Sequence, residues 1–396
     1  MGLTAQPSTS TEYERLSLAR GMNLSDGHTR QPLTRSQKRI VARLPELFAE
    51  SERRTQEELE LEFIEQFFGL AGQSTLSPSP DRYLLSYSAS TAINLISLLL
   101  QARSLSVALI HPAFDNIPNS LRRHRVPLTP LSEESLIGHR LSSTLSAVDS
   151  DVIWIVCPNN PTGFELCQED FAALVNFCAA YNRILVIDFC FRFFSSHLSD
   201  WDQYELLEAS GISYITIEDT GKTWPTLDMK IGGTVCSSDL FPELYQLHDD
   251  LLLNVSPFHL ALLIEFIRDT RETGLEKTIL RHVRSNRRQL RRALEGSTLI
   301  PTVRSEATTM EWLRIEGEYS DKILWRELRE VGIHILPGSN FFWDQPELGT
   351  RFVRIPLTRA PELIAAAAPG IRRVSDECAR RSRESLQATT NGREHQ

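Results

Sequence analysis

The chain has 396 residues, of which 41% are hydrophobic and 23% charged, a composition typical of a globular protein with a large core. Its net charge of -9 arises from acids and bases that are mixed along the chain, which argues against a dedicated nucleic-acid surface. No apolar run approaches the roughly 20 residues of a membrane-spanning helix, no signal peptide is recognisable, and the six cysteines lack metal or redox spacing, so a cytoplasmic protein without a metal site or membrane contact is expected.

Residues 1–33 are polar and predict a mobile arm with one short helix. Apolar residues then recur at helical spacing over 34–53 and 57–70. In the next part of the chain, short apolar strands alternate with helical patterns. The predicted strands are 83–87, 107–110, 152–157, 184–188, 214–217 and 233–236, and the predicted helices between them include 91–100 and 168–181. This alternation predicts βαβ units and a mostly parallel, doubly wound α/β sheet.

The pattern changes after Pro257 to long helices, and a smaller α+β section follows. The predicted helices are 258–271 and 277–294, and the predicted strands are 309–314, 333–336 and 352–355. Residues beyond 375 are charged and rich in Ser, Thr, Gln and Asn, which predicts disorder. The expected organisation is an arm at 1–33, a large domain at 34–275, a small domain at 276–375 and a disordered tail at 376–396.

Lys222 stands in the turn that follows the predicted strand 214–217. Ligands of doubly wound sheets bind beyond the carboxyl ends of the strands, so the amine is expected to point into a crevice. Lysine forms Schiff bases with carbonyl cofactors, chiefly pyridoxal phosphate (PLP). Lys230, eight residues later, is a cation that could reach a phosphate at the same turn. A solvated loop lysine is the plain alternative.

Two polar residues follow other predicted strands. Asp188 ends an apolar run, where burial of an isolated carboxylate is unfavourable unless a cation pairs with it. A protonated pyridine nitrogen is such a cation, and the pair would keep a cofactor ring positive; a helix cap or structural salt bridge is the alternative. Asn160 lies in a turn-rich loop, and its amide can donate to a phenolate-like oxygen, although a plain Asn-Pro turn explains the same residues.

Three further features complete a candidate site. Ser88, Ala89 and Ser90 join a strand to a helix, where free backbone N–H groups and hydroxyls can hold a phosphate. Phe114 follows a His-Pro-Ala turn and could stack on a ring, with core packing as the alternative. Arg354 is a lone cation in an apolar strand, which suits a two-point contact with a substrate carboxylate.

These motifs occur in a definite order along the chain. The order is Asn160-Pro161-Thr162-Gly163, Asp188, Lys222, Lys230 with Gly232, and Arg354. It resembles the signature of fold-type I PLP enzymes, the aspartate aminotransferase superfamily, over about residues 34–370. The resemblance implies a mostly parallel seven-stranded large domain, a smaller C-terminal α+β domain and a Schiff base between PLP and Lys222. A homodimer or a dimer of dimers is expected by the same analogy.

Further segments extend the likeness over nearly the whole chain, including the arm. They are residues 22–31, 111–116, 218–222, 224–228 and 255–257. They resemble the oxygen- and PLP-dependent L-arginine oxidases, a group that includes the arginine hydroxylases of enduracididine-type antibiotic pathways. The resemblance implies cofactor contacts for Thr220 and Cys190. Two residues depart from the general transaminase pattern, because Phe191 replaces the usual tyrosine and Lys230 replaces the phosphate-binding arginine.

The resemblance also assigns residues to the substrate. Glu14 and Asp219 are implied as contacts of a guanidinium, which needs planar two-point contacts with carboxylates, and Thr11 and Asp26 are placed on the substrate side as well. Thr11 and Glu14 also fit a capping box, in which Glu14 satisfies a helix N-terminus. In the resembling enzymes the histidine that matches His28 approaches the substrate side chain and helps to place water or move a proton; an ordinary turn residue is the alternative.

The implied activity is oxidation of L-arginine by molecular oxygen to 4-hydroxy-2-oxoarginine, with 2-oxoarginine as a side product and release of ammonia and hydrogen peroxide. Lys222, Asp188 and His28 are the implied catalytic residues, and the arm is expected to exclude bulk solvent. An oxidase that stops at 4,5-dehydro-2-oxoarginine and an ordinary aminotransferase acting on a basic amino acid remain alternatives. A transcription regulator of the same fold is disfavoured, because the arm is too short for a DNA-binding module.

Overall fold

A seven-stranded sheet forms the centre of the larger part of the chain. The structure, a computed structural model, describes residues 7–393 apart from 20, 77–81, 139, 140, 142–144, 146, 196 and 307. The helices are α1 (Ser10–Ala19), α2 (Arg35–Ala42), α3 (Leu44–Ser51), α4 (Gln56–Leu70), α5 (Ala89–Ala102), α6 (Asn116–Arg123), α7 (Gln168–Tyr181), α8 (Gln203–Ser210), α9 (Phe241–Asp249), α10 (Pro257–Thr273), α11 (Arg281–Leu294), α12 (Asp321–Glu330) and α13 (Pro361–Arg393). The strands are β1 (Met22–Asn23), β2 (Tyr83–Ser86), β3 (Val107–His111), β4 (Leu128–Ser132), β5 (Val152–Val156), β6 (Ile184–Asp188), β7 (Tyr214–Asp219), β8 (Gly232–Cys236), β9 (Leu299–Pro301), β10 (Met310–Ile315), β11 (Ile333–His334), β12 (Leu336–Pro337) and β13 (Phe352–Pro356).

The large sheet has the strand order β2-β8-β7-β6-β5-β3-β4. The strands from β7 to β4 are parallel, and β8 is antiparallel to both of its neighbours, which confirms the predicted mostly parallel sheet. All five residues of β5 are buried, as expected for a parallel strand covered on both faces. Because Asp188 is in register with Val156 on one side and Ile217 on the other, the carboxyl ends of β5, β6 and β7 lie at one edge.

A smaller antiparallel sheet with the order β12-β13-β10-β9 follows in the chain. The arm is packed against this part of the molecule. Its strand β1 pairs in parallel with β11, and the ring of Tyr13 on α1 meets Trp325 edge-on at 4.8 Å. The predicted short helix is confirmed as α1. Residues 1–6 of the predicted arm lie outside the described residues.

Several predicted elements need correction. The helix predicted over 34–53 is divided into α2 and α3 at Arg43, because a proline near the start of α3 cannot continue the backbone hydrogen bonds of α2. The strand predicted over 333–336 is divided between β11 and β12, which belong to different sheets. Helices α6, α8, α9 and α12 and strands β4 and β9 were not predicted. Strand β4 contains Pro130, which is tolerated because β4 lies at the sheet edge.

The prediction of a disordered tail is wrong for residues 376–393, which continue helix α13. The prediction used the polar composition of the tail and overlooked that opposite charges recur at helical spacing. Arg373 pairs with Glu377 at 3.6 Å and Arg380 with Glu384 at 2.9 Å, each four residues apart. Residues 394–396 lie outside the described part of the chain. Although α13 has 33 residues, neither it nor any other described helix is long and apolar enough to cross a bilayer.

Candidate active site

A cavity opens where the carboxyl ends of β5, β6 and β7 meet the N-terminus of α5. Ligands of such sheets bind at this edge. Most residues predicted from the sequence line the cavity together. They are Glu14, His28, Ser88, Ala89, Ser90, Phe114, Asn160, Asp188, Cys190, Asp219, Lys222, Lys230 and Arg354. In the described part of the chain, no group of His, Cys, Asp and Glu side chains is arranged to hold a metal ion.

Lys222 follows β7 by three residues, and its loop is held by the arm. The Thr29 N–H donates to the Gly221 carbonyl at 3.1 Å, and the Thr29 hydroxyl donates to the Lys222 carbonyl at 2.5 Å. Gly27 lies over the amine, because a Cβ added there would be 3.7 Å from Lys222 Nζ. The arm therefore forms one wall of the cavity beside the lysine.

Asp188 is the last residue of β6 and is 6% exposed. Its Oδ1 accepts the Cys190 N–H at 2.9 Å. Loss of hydration raises the pKa of this carboxyl, and the hydrogen bonds with Cys190 and the nearby Lys222 amine oppose that rise. A cation bound in the cavity would stabilise the charged carboxylate. The pairing of Asp188 with a protonated pyridine nitrogen stays a prediction, and burial of the carboxyl is compatible with it.

The N-terminus of α5 forms the opposite end of the cavity. Ser88 is the N-cap, and its hydroxyl accepts the Thr91 N–H at 3.2 Å. The Ala89 N–H donates to Asp219 Oδ2 at 2.9 Å, so the helix N-terminus already holds one anionic group. Lys230 also lines the cavity, and burial lowers the pKa of its amine. Hydroxyls, helix N–H groups and a lysine in this arrangement suit a phosphate.

Arg354 is fully buried on β13 and reaches the cavity from the smaller sheet. Its Nη1 donates to Asn160 Oδ1 at 3.2 Å, and its Nη2 donates to the Ser25 carbonyl and to Glu14 Oε1, the latter at 3.3 Å. Its Nε is buried and has no hydrogen-bond acceptor among the described residues. The guanidinium also lies 5.9 Å from the ring centre of Phe114. An entering carboxylate would supply the acceptor that Nε lacks.

Glu14 is not the capping residue of α1. The N–H groups of Ser8 and Thr9 donate to Glu12 Oε2, and the Glu12 N–H lies 3.3 Å from Thr9 Oγ1, so the capping box is formed by Thr9 and Glu12. The capping interpretation of Thr11 with Glu14 is therefore wrong. Glu14 instead lines the cavity, where burial raises the pKa of its carboxyl and Arg354 opposes that rise.

His28 lies between Lys230 and two carboxylates. Its Nε2 is 2.7 Å from Lys230 Nζ, and its Nδ1 is 3.4 Å from Asp228 and 3.6 Å from Asp26. The positive Lys222, burial and Lys230 lower the pKa of His28 to about 2. The imidazole is therefore neutral near pH 7, and Lys230 donates to the Nε2 lone pair.

Three predicted residues do not line the cavity. Thr11 is exposed on α1, because the face of the helix that carries Glu14 is the one turned inward. Asp26 is buried behind His28, where it pairs with Arg359 at 3.2 Å. Thr220 uses its hydroxyl to bond both the N–H and the carbonyl of Ile231. Asp26 and Thr220 therefore support the loops that carry the site and do not face it.

Some lining residues were missed in the sequence. Gly27, Ile93, Asn116, Ile117 and Val156 also border the cavity. Gly27 and Asn116 stand inside segments that carried the resemblance, so their position could have been inferred. The apolar residues follow ordinary helix and strand patterns, and only the fold distinguishes them from other core positions.

The model of the family described as aminotransferase class I and II matches residues 17–369 of the chain. The chain belongs to the class I and II aminotransferase family. It is 26% identical over 251 residues to LL-diaminopimelate aminotransferase of Aquifex aeolicus, covering 61% of this chain and 62% of that protein. It is 22% identical over 242 residues to an aspartate aminotransferase of Pyrococcus horikoshii, covering 60% of each. The matches thus span about three fifths of the length of these relatives.

Solved structures share the fold of this chain. A structure described as MppP soaked with the product 2-ketoarginine is 35% identical to this chain, with a TM-score of 0.83, covering 89% of this chain and 99% of that one. The α-aminoadipate aminotransferase LysN of Thermus thermophilus is 17% identical, with a TM-score of 0.76 and coverage of 94% and 95%. The fold-type I architecture predicted from the sequence is confirmed.

Membership of the aminotransferase family supports PLP as the cofactor, and the residues present fit it. Lys222 would supply the amine, the buried Asp188 carboxylate would pair with a ring cation, and the N-terminus of α5 with Lys230 would hold the phosphate. Phe191 also lines the cavity, in place of a tyrosine that would donate a hydrogen bond. When bound, PLP supplies an electron-withdrawing ring that draws electrons from the α-carbon of an amino acid.

A substitution at Gly232 tests whether the Ser88 turn holds the phosphate. A Cβ there would lie 2.4 Å from the Ser88 carbonyl carbon, whereas a Cβ at Gly233 would make only ordinary contacts at 3.7 Å and 3.9 Å. We expect Gly232→Ala to displace the Ser88 turn and weaken PLP affinity roughly tenfold or more, with Gly233→Ala as the matched control. Absorbance titration of each apoprotein with PLP measures the effect, and equal affinities of the two variants would contradict it.

Proposed function

We propose that this aminotransferase-family chain catalyses the PLP- and oxygen-dependent oxidation of L-arginine to 4-hydroxy-2-oxoarginine. In this reaction 2-oxoarginine is a side product, and ammonia and hydrogen peroxide are released. The observation that carries the proposal is the 35% identity to MppP, whose structure was described with the product 2-ketoarginine, over 89% of this chain. The arm, whose residues 22–31 carry part of the resemblance to the arginine oxidases, supplies Glu14, Gly27 and His28 to the cavity.

The charges in the cavity support arginine as the substrate. The buried guanidinium of Arg354 is placed to bind an α-carboxylate. Glu14 and Asp219 both line the cavity, and their carboxylates would pair with the guanidinium of the substrate. Asp219 is already held in place by the N–H groups of Ala89 and Gly221, so its orientation is fixed before a substrate arrives.

The remaining residues have roles that follow from their positions. Lys222 lines the cavity, and with PLP and arginine bound its amine would take the α-proton of the amino acid. Asp188 keeps the cofactor ring positive through its buried carboxylate. Neutral His28 accepts a hydrogen bond from Lys230 at 2.7 Å and lines the cavity, so it would act by holding the Lys230 amine and water in place near the substrate side chain. The arm excludes bulk water from Lys222 by placing Gly27 over the amine.

Oxygen uptake tests the proposal against its main alternative, transfer of the amino group to an acceptor. That alternative is favoured by the names of the relatives, which are aminotransferases. The PLP-loaded enzyme is supplied with L-arginine under air without any 2-oxo acid acceptor. We expect oxygen consumption together with release of one ammonia for each arginine converted. Turnover that requires an acceptor and consumes no oxygen would establish the aminotransferase instead.

Replacing Glu14 by glutamine is expected to raise the KM for L-arginine roughly tenfold or more, because a charge-assisted hydrogen bond to the guanidinium is lost. Glu12→Gln is the matched control, since Glu12 is on the same helix but only caps it. The KM for citrulline, which has a neutral urea in place of the guanidinium, should change much less. Equal losses for arginine and citrulline would show that Glu14 acts only through Arg354.

We also propose a homodimer or a dimer of dimers in a reducing, cytoplasmic compartment. Leu227 and Leu253 are 80% and 89% exposed, and contact with a second copy would cover them. All six cysteines are free, as expected where thiols stay reduced.

A further inference from the structure

Arg359 lies outside the cavity but holds the arm segment 23–28. Its side chain is 2% exposed. Its Nε donates to the Asn23 carbonyl at 2.9 Å, its Nη1 to the His28 carbonyl at 2.7 Å and its Nη2 to the Asp26 carbonyl at 2.6 Å. A 3.2 Å ion pair with the Asp26 carboxylate completes the set. One guanidinium therefore ties three carbonyl groups of a single turn, a pattern that the planar fork of arginine allows and lysine does not.

The backbone of Arg359 is itself held by hydrogen bonds from helix α11. Its carbonyl accepts hydrogen bonds from His282 Nε2 at 2.5 Å and from Asn286 Nδ2 at 2.8 Å, both on α11. The neighbouring Thr358 carbonyl accepts the Arg30 N–H at 2.9 Å, just beyond the held turn. The arm segment is thus anchored to a rigid helix through Arg359 and the strand end beside it.

The turn that Arg359 holds touches three charged groups of the cavity. Gly27 lies over the Lys222 amine, His28 contacts Lys230, and the Ser25 carbonyl accepts from Arg354. A shift of this turn would move all three contacts together and admit water beside the lysine. The position of His28 therefore depends on a residue that does not touch the substrate.

We propose that Arg359 is a positioning residue that seats Gly27 and His28 in the cavity and thereby sets how much arginine is hydroxylated and how much leaves as 2-oxoarginine. The product ratio in this proposal rests on the proposed function; the seating of the arm does not. Loss of the guanidinium removes the donor that the Asn23, Asp26 and His28 carbonyls share, together with one ion pair of the buried Asp26 carboxylate, and this favours a shift of the turn.

Limited digestion with trypsin tests the seating directly on the PLP-loaded enzyme. Arg30 follows the held turn, and its N–H is bonded to the Thr358 carbonyl. We expect Arg359→Gln and Arg359→Lys to be cleaved after Arg30 at least tenfold faster than the unchanged protein, as followed by mass spectrometry. Arg351→Gln is the matched control, because Arg351 also donates to a backbone carbonyl, that of Ile315 at 3.2 Å, but lies away from the arm. Where the glutamine variant does not fold, the lysine variant, which retains the charge, provides the same comparison.

The dependence on His28 is tested with a double variant. Arg359→Gln should lower the ratio of 4-hydroxy-2-oxoarginine to 2-oxoarginine at least tenfold. In a His28→Ala background, Arg359→Gln should have no further effect beyond about twofold, since both changes remove the same group from its place. A purely structural role for Arg359 would instead give effects that multiply.

Unchanged trypsin cleavage in both Arg359 variants, full rescue by lysine, or multiplied effects in the double variant would overturn the proposal. Failure of the proposed function has a different signature, which is that the unchanged protein consumes no oxygen with arginine. In that case the cleavage rates and the exchange of the arginine α-proton in deuterated water still decide the role of Arg359, because neither depends on oxygen.

Discussion

Replacing Lys222 by alanine is expected to lower turnover of L-arginine by at least about 10³-fold, because it removes both the covalent attachment of PLP and the base that takes the α-proton. No other described lysine except Lys230 lines the cavity, and Lys230 is turned toward His28 at 2.7 Å. The absorption band of the bound cofactor at roughly 420 nm should disappear as well. Stopped-flow absorbance and oxygen uptake measure the two losses.

Lys322→Ala is a suitable control, because Lys322 is exposed on α12 and does not line the cavity. Borohydride reduction followed by peptide mass spectrometry adds an independent readout. The label should fall on the peptide that contains Lys222 in the unchanged protein and should be absent from the alanine variant. A label on another lysine, or a Lys222→Ala variant that retains the band, would contradict the assignment.

Replacing Asp188 by asparagine is expected to lower turnover by about 10²-fold or more, because a neutral amide cannot keep the cofactor ring positive. The substitution preserves the shape of the side chain. The Cys190 N–H, which donates to Asp188 Oδ1 at 2.9 Å, can donate to the amide oxygen instead. The cofactor should therefore still bind, and arginine should still perturb its spectrum while turnover falls.

The effect on stability separates this loss from misfolding. Burial raises the pKa of the Asp188 carboxyl above its unfolded value. A carboxyl with a raised folded pKa is destabilising when ionised, so its cost is present above the folded pKa and vanishes as the pH falls below the unfolded pKa. Asparagine removes that cost near pH 7. We therefore expect the apoprotein Tm of Asp188→Asn to be equal or higher, and a fall of the Tm together with normal turnover would refute the assigned role.

The sequence was most informative where a parallel sheet collects residues at one edge. Asn160 and Lys222 each follow a buried strand and Asp188 ends one, and the strands are in register at that edge. Arg354 was recognisable as a lone charge in an apolar strand, although its neighbours in space are far away in the chain. Local pattern and the geometry of the sheet together were sufficient for these positions.

Other features depend on contacts between distant segments. Thr11 and Glu14 lie on one helix, and only the docking of α1 decides which of them faces the cavity. Arg359 has no distinctive sequence context, because its partners are carbonyl groups of the arm more than 300 residues earlier. The helical tail was missed although its signal is local. Its polar composition was taken to predict disorder, whereas opposite charges four residues apart favour a helix.

The most direct test of the central claim is the set of product masses from one incubation of the PLP-loaded enzyme with L-arginine under air. Oxo, dehydro-oxo and hydroxy-oxo acids differ in mass, and the hydroxy-oxo acid consumes two molecules of oxygen for each arginine where 2-oxoarginine consumes one. The account predicts mainly 4-hydroxy-2-oxoarginine with a smaller amount of 2-oxoarginine, both lost without oxygen. Product that forms equally well without oxygen, or only when an amino acceptor is added, would contradict it.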